Sequence, residues 1–326
     1  MIDDPTVRDM QEAAQRIAPF IHRTPVLTSA AIDRMAGGRV FFKCENFQKI
    51  GAFKIRGATN AVSKLSDKQL ASGVATHSSG NHAAAVALAA ASRNATATVV
   101  MPDNAPGIKK EAVAGYGAGI VFCEPRPGAR EEALAKLLDE TEAFFIHPYD
   151  NRDVIEGQAS AALELLEEAA DLDVLMTPIG GGGLISGTAL VTHGLSPGTR
   201  VIGVEPSGAD DAWRSFRSGE LVPSVNPCTI ADGLLSSLSE RTFGIITRHV
   251  EDVVTVSEEQ IIHAMRTIWE RMKLVVEPSA AVPLAAILSG SINVCGQRAG
   301  IILTGGNVDL GRLPWMPDGG ASESFT

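Results

Sequence analysis

The sequence has no long apolar run. Its longest, AAAVALAAA at 83–91, falls far short of the ~20 residues that a membrane-crossing helix needs. It has no basic run either. Net charge is −10 over 326 residues, and an acidic chain repels phosphate backbones and anionic lipid heads. Nucleic acid and membrane are therefore not expected as partners. Cysteine is scarce and scattered. Cys44, Cys123, Cys228 and Cys295 show no C-x-x-C spacing and no nearby histidine cluster, so they read as small buried apolar residues rather than metal ligands or disulfides. The opening MIDDPTVRDMQEAA carries acids and no apolar core, unlike a signal peptide. These absences lead us to expect a soluble, cytoplasmic protein.

What is present is an ordinary globular composition, 45% apolar, in a chain long enough for two domains. Short apolar strands alternate with helical patterns. RVFFKCEN, GVATHSS, TATVVMP, GIVFCEP, AFFIHPY, VLMTPIG, RVIGVEPSG and IILTGGN read as strands. GAFKIRGATNAVSKL, GNHAAAVALAAASRN, AREEALAKLLDETE and VIEGQASAALELLEEA read as helices. That alternation predicts an α/β fold with parallel sheet.

The sharpest chemical signal is TPIGGGGLISG at 177–187, where Gly180, Gly181, Gly182 and Gly183 lie between a strand and a helix. Backbone without Cβ atoms can wrap an anion, and a helix N-terminus favours negative charge. The run lacks G-x-G-x-x-G spacing and has no lysine after it, so neither a dinucleotide fingerprint nor a P-loop fits. A second strand-to-helix turn, THSSGNHAAA, gathers Ser78, Ser79, Asn81 and His82, which suits a carboxylate or a plain helix cap. A third, LTGGNVD, sets Thr304 at a strand end, where ligands of open α/β folds bind. Lys54 sits in NFQKIGAFKIRGAT between Phe53 and Ile55. On that stretch alone it reads as one polar face of a helix with Arg56. Beside a phosphate cup and a carboxylate trap, it reads as the lysine that holds pyridoxal phosphate as a Schiff base.

These pieces, with HRTPVLTS, HPYDNRDVIEGQ, VEPSGADD, IADGLLSS and ERMKLVVEPSAA, run in one order over residues 22–310. The chain resembles the serine racemase and serine/threonine dehydratase family of fold type II pyridoxal-phosphate enzymes, which includes 3-hydroxyaspartate dehydratases. The resemblance implies two open α/β domains with a cleft between them: a large cofactor domain of residues 1–72 and 151–326, and a small inserted domain of 73–150. It implies that Lys54 carries the cofactor, Phe53 packs on it and Asn81 bonds its phenolic oxygen. Gly180 to Gly183 with the N–H of Leu184 would hold the phosphate, and Thr304 would face the pyridine nitrogen. Ser78, Asn81 and His82 would bind the substrate carboxylate, with Arg130 and Ser236 near its side chain. Glu205, the Ala209 carbonyl and Asp211 match a divalent-cation site for Mg²⁺, Ca²⁺ or Mn²⁺, whose oxygen donors suit such ions; a solvated acidic loop is the plain alternative. A homodimer is implied.

Two activities follow from the resemblance. The first is β-elimination of a small 3-hydroxy amino acid, namely serine, threonine or 3-hydroxyaspartate, to a 2-oxo acid and ammonia. The second is serine racemisation, with Ser79 as an acid–base group opposite Lys54; Ser79 bonding substrate or water is the alternative. Arg130 suits a second carboxylate, as in 3-hydroxyaspartate. It suits equally a solvent-facing helix position or a pair with Glu131. Two departures from the family pattern, Ala84 after NHA and EGQAS at 156–160, are expected to reshape the cleft. With Thr326 last, no regulatory domain is expected.

Overall fold

The structure is a computed structural model that describes residues 4–316 apart from 79, 106 and 127. Ten strands form two sheets. They are β1 (Val26–Thr28), β2 (Arg39–Cys44), β3 (Val74–His77), β4 (Ala97–Pro102), β5 (Gly119–Cys123), β6 (Phe144–Phe145), β7 (Val174–Pro178), β8 (Arg200–Pro206), β9 (Asp252–Val256) and β10 (Arg298–Leu303). The larger sheet runs β1-β2-β10-β7-β8-β9 and the smaller β5-β4-β3-β6. All pairings are parallel except β1 with β2.

The apolar runs of the sequence are buried on both faces, as a parallel sheet requires. Alternate residues of one strand feed different cores. Val40, Phe42, Val174, Met176, Ile301 and Leu303 pack with the helices Glu258–Met272 and Pro278–Leu288. Phe41, Leu175 and Ile302 pack with Val7–Ile17, Arg152–Glu168 and Gly183–Leu195 on the opposite face. The small sheet repeats the pattern, with Val99 and Met101 on one side and Val100 on the other. Thus the chain has two α/β domains, each built on a parallel sheet.

The helix Lys54–Ser63 belongs to both. Ile55, Ala58 and Val62 share a core with Val86 and Ala90 of the helix Asn81–Ala91, and with Val154 of Arg152–Glu168. Gly57 and Gly157 let the helices Lys54–Ser63 and Arg152–Glu168 touch: a Cβ on Gly157 would lie 2.7 Å from Gly57 Cα. Among the described residues, no helix is long and apolar enough to cross a membrane.

Candidate active site

Lys54 follows a short zipper. Residues 50–53 lie antiparallel to 304–307, the chain leaving β10. Phe53 N–H donates to the Thr304 carbonyl (3.0 Å), Ala52 bridges Gly305, and Gly306 N–H donates to the Gly51 carbonyl (2.9 Å). The Asn307 side-chain amide donates to the Ile50 carbonyl at 2.7 Å. The zipper needs bare glycines: a Cβ on Gly305 would lie 2.9 Å from Glu277 Oε1, and one on Gly306 2.7 Å from the Val275 carbonyl. It therefore fixes Lys54 and Thr304, two predicted site residues about 250 positions apart, relative to each other.

The Lys54 ammonium is partly buried and donates to the Pro148 carbonyl at 3.0 Å, with Nζ 5.2 Å from the Phe53 ring centre. Burial pulls its pKa down to about 8, and Glu277 opposes that shift. Two residues on, Arg56 points elsewhere. It is fully buried and forks onto Glu45 (2.7 and 2.8 Å) and Glu164 (2.8 and 2.8 Å), with Ser160 at 3.0 Å. Buried Lys43 joins this cage through Glu164 at 2.6 Å.

Pro148 leads to Tyr149, whose ring covers the glycine run: a Cβ on Gly181 would fall 2.2 Å from that ring. A Cβ on Gly180 would lie 3.0 Å from the Gly233 carbonyl, and Gly182 has φ +87°. The helix Gly183–Leu195 has no side-chain cap at Gly182, so its first N–H groups are left to a ligand or solvent. Leu184 is buried in its first turn.

Asn81 opens the helix Asn81–Ala91. Its Nδ2 donates to both oxygens of buried Glu277 (3.1 Å each), and its Oδ1 accepts from Asn307 at 2.8 Å. Ser78 Oγ accepts from Gly80 N–H. Buried His82 directs Nε2 to the Ile146 carbonyl at 3.0 Å. Burial, then the Lys54 charge, holds its pKa well below the ordinary value, so the ring is neutral. Thr304 Oγ1 is buried and has no hydrogen-bond partner among the described residues. Ser79 lies outside the described residues.

The chain matches, over residues 17–305, the family model described as pyridoxal-phosphate dependent enzyme. The chain belongs to that family. It is 51% identical to a beta-hydroxyaspartate dehydratase of Paracoccus denitrificans (strain Pd 1222), over 95% of this chain and 99% of that one. It is 48% identical to an L-threo-3-hydroxyaspartate ammonia-lyase of Saccharomyces cerevisiae (strain ATCC 204508 / S288c), over 97% of each. The solved serine racemase of Dictyostelium discoideum superimposes with a TM-score of 0.90 at 46% identity, covering 94% of this chain and 99% of that one.

The residues present fit the family's cofactor. A partly buried amine, an uncapped helix start behind close-packed glycines and an unpartnered buried hydroxyl at Thr304 converge through the zipper and Tyr149. The outer groups are less constrained. Arg130 is exposed in the first turn of the helix Ala129–Thr141 and forms no ion pair among the described residues, Glu131 included. At His77 and Tyr149 its charge is outweighed by that of neighbouring Glu131. Ser236 is exposed, two residues past Leu234, which packs on Gly180.

Glu205, near the end of β8, and Asp211, just after that strand, are both buried. Glu205 accepts from Ala212 and Trp213 N–H, and Asp211 Oδ2 accepts from Leu238 N–H at 3.2 Å. Burial and then Asp211 push Glu205 up to about 9; Asp211 Oδ1 has no partner among the described residues. No group of three His, Cys, Asp or Glu side chains that could hold a metal occurs among the described residues.

Glu277, Asn307, Tyr149 and the Pro148 carbonyl receive no role from sequence alone. They stand in quoted segments (VVEPSAA, LTGGNVD, HPYDNRD), but their partners lie far off in the chain.

Proposed function

We propose that this chain is an ammonia-lyase that eliminates water from threo-3-hydroxyaspartate in preference to serine or threonine. The reading is carried by Arg130: an exposed guanidinium in the first turn of the helix Ala129–Thr141, without a carboxylate partner among the described residues. Two relatives at 51% and 48% identity bear hydroxyaspartate names. Pyridoxal phosphate, when bound, withdraws electrons from the substrate's α-carbon and so acidifies its α-proton. Lys54 holds the cofactor and then takes that proton; its lowered pKa makes a neutral amine accessible near pH 8. Phe53 packs beside it. Gly180, Gly181, Gly182, Gly183 and the Leu184 N–H hold the phosphate. Thr304 would meet the cofactor's ring nitrogen with a neutral hydroxyl, and the β-hydroxyl would leave as water with the proton that Lys54 has taken. The α-carboxylate meets Ser78, Asn81 and the backbone N–H of His82, whose ring is already committed to Ile146. Arg130 receives the β-carboxylate, with Ser236 nearby. The released enamine hydrolyses to a 2-oxo acid and ammonia.

In this reading residues 73–150 move as the small domain and close on substrate. The protein is a cytoplasmic homodimer in this reading. Glu205, the Ala209 carbonyl and Asp211 hold a divalent cation (Mg²⁺, Ca²⁺ or Mn²⁺), the cation answering two buried carboxylates. Chelation then lowers stability and activity together, whereas an unchanged unfolding midpoint and rate would remove the cation. Racemisation is the second reading, supported by 46% identity to a serine racemase, and it assigns Ser79 as the opposed acid–base group. One assay separates the two: 2-oxo acid formation and product chirality, scored on serine, threonine and 3-hydroxyaspartate. Inverted serine accumulating faster than any 2-oxo acid would overturn the lyase assignment.

A further inference from the structure

Asn307 makes two hydrogen bonds with one NH₂ group, and each end of the chain of contacts it joins is an acceptor. One N–H goes to the Ile50 carbonyl at 2.7 Å, the other to Asn81 Oδ1 at 2.8 Å. The far end is the Glu277 carboxylate, which accepts from Asn81 Nδ2. A backbone carbonyl accepts only, and so does an ionised carboxylate. The direction of both amides is therefore fixed: Asn307 must present nitrogen to Ile50, its second N–H must find the Asn81 oxygen, and the Asn81 NH₂ must face Glu277. Reversing either amide sets acceptor against acceptor.

The Ile50 end is strained. Ile50 has φ +61° and Gly51 φ +69°, and left-handed backbone is unfavourable for a β-branched residue. Asn307 Nδ2 on the Ile50 carbonyl and Gly306 N–H on the Gly51 carbonyl clamp this turn, four residues before Lys54. Gly51 has no room for a side chain because Asn307 Oδ1 would lie 2.6 Å from a Cβ there.

We propose that Asn307 is a positioning residue that fixes the orientation of the Asn81 amide, with its NH₂ on Glu277, and locks the left-handed turn that delivers Lys54. This deepens the proposed function and rests on its placing Lys54 and Asn81 together in the site that holds cofactor and substrate. Asn307→Asp keeps the shape and reverses the polarity: two acceptor oxygens would face the Ile50 carbonyl and the Asn81 oxygen. Asn81 must then turn its NH₂ toward the introduced carboxylate and present its oxygen to Glu277. Asn307→Ala removes the clamp without forcing that reversal.

The test compares wild type, Asn307→Ala and Asn307→Asp as purified full-length protein. It measures pyridoxal-phosphate affinity, the visible absorption band at saturating pyridoxal phosphate, and the unfolding midpoint of cofactor-free protein. Asn307→Asp is expected to bind pyridoxal phosphate about tenfold to a hundredfold more weakly than wild type, the size of one charge-assisted hydrogen bond. Asn307→Ala should fall between them. The saturated Asn307→Asp protein should show a displaced band, while Asn307→Ala keeps the wild-type band. A residue that only supports the fold would lower the midpoint and leave the band of the saturated protein in place. The proposal is overturned if Asn307→Asp shows the wild-type band and an affinity within about twofold of Asn307→Ala. Failure of wild type itself to bind pyridoxal phosphate would instead overturn the reading of the site.

Discussion

Lys54 and Arg56 stand two residues apart on one helix, which turns them about 200° from each other. The two regions they enter differ in electrostatic design. Arg56 enters a closed cage in which every charge is met: Glu45 and Glu164 flank it, and Lys43, fully buried, meets Glu164. Lys54 enters a pocket in which it donates to a neutral carbonyl, that of Pro148. A buried cation with matched anions is a fixed structural element. A cation desolvated without a close anion loses its proton readily and becomes a nucleophile and base. The cage holds the helix still so that the pocket can leave its lysine underpaired.

The comparison can be broken first at Lys54. Lys54→Ala should lower 2-oxo acid formation by at least about 10²–10⁴-fold, the range for loss of one general acid–base group, with far-UV circular dichroism unchanged. Retention of substantial turnover would show that the pocket has another base. The pH dependence follows from the direction of the shift. A pKa lowered to about 8 leaves roughly one amine in ten neutral at pH 7, against about one in three thousand at the ordinary value of 10.5. Covalent capture of pyridoxal phosphate by cofactor-free protein should therefore accelerate as pH rises and level off above a midpoint near 8. A rate still climbing past pH 10 would mean that the pocket does not desolvate the amine.

The cage gives the next largest effect, on stability. Arg56→Ala leaves Glu45 and Glu164 buried without their fork and should cost about 3–5 kcal/mol, a large part of a typical domain's stability. Denaturant unfolding measures it. Arg56→Lys should recover little, because one ammonium cannot bond two carboxylates in the guanidinium's planar geometry. A loss below about 1 kcal/mol would mean that the cage relaxes or hydrates, and that Lys54 is held by the zipper alone.

Much of this is readable in sequence, and the unread parts share a cause. β2, β7, β8 and β10 announce themselves as apolar runs because both faces of the larger sheet are covered. The glycine run is legible because four consecutive glycines at a strand end have few other uses. β9 and β1 do not stand out as strands. β9 lies at the sheet edge with a mixed burial pattern, and β1 is a three-residue antiparallel edge. Arg56 is legible only as helix polarity, since Glu164 lies 108 positions away. The zipper joins residues about 250 apart, and no local period encodes it. Glu277 and Asn307 act through partners that only the fold supplies.

Arg130 sharpens the comparison at the substrate side, where the structure leaves a charge open rather than caged. Arg130→Ala should reduce kcat/KM for threo-3-hydroxyaspartate about tenfold to a hundredfold and leave serine turnover nearly unchanged, the size of one charge-assisted contact. Malonate should inhibit wild type competitively and the variant far less. Equal losses for both substrates would take Arg130 out of the side-chain pocket.

The smallest effect on turnover is expected at Glu156, where the sequence departs from the family pattern and the sequence reading expects a reshaped cleft. The structure aims its carboxylate elsewhere. Glu156 is buried and meets Lys64 and Arg152, each at 3.0 Å, on the flank where Arg152 also reaches Asp9. Ser160, in the same segment, bonds Arg56 and the Gly157 carbonyl rather than the Lys54 pocket. Both residues thus belong to the support of the helix Arg152–Glu168, on the side of the cage. Glu156→Ala should therefore cost about 1–3 kcal/mol of stability, because two cations and the Asn60 amide lose an acceptor. Its ratio of kcat/KM for 3-hydroxyaspartate over serine should stay within roughly twofold of wild type, as for a site that touches no shared partner. A shift in that ratio larger than about tenfold, at unchanged stability, would place Glu156 in communication with the substrate and dissolve the separation between cage and pocket.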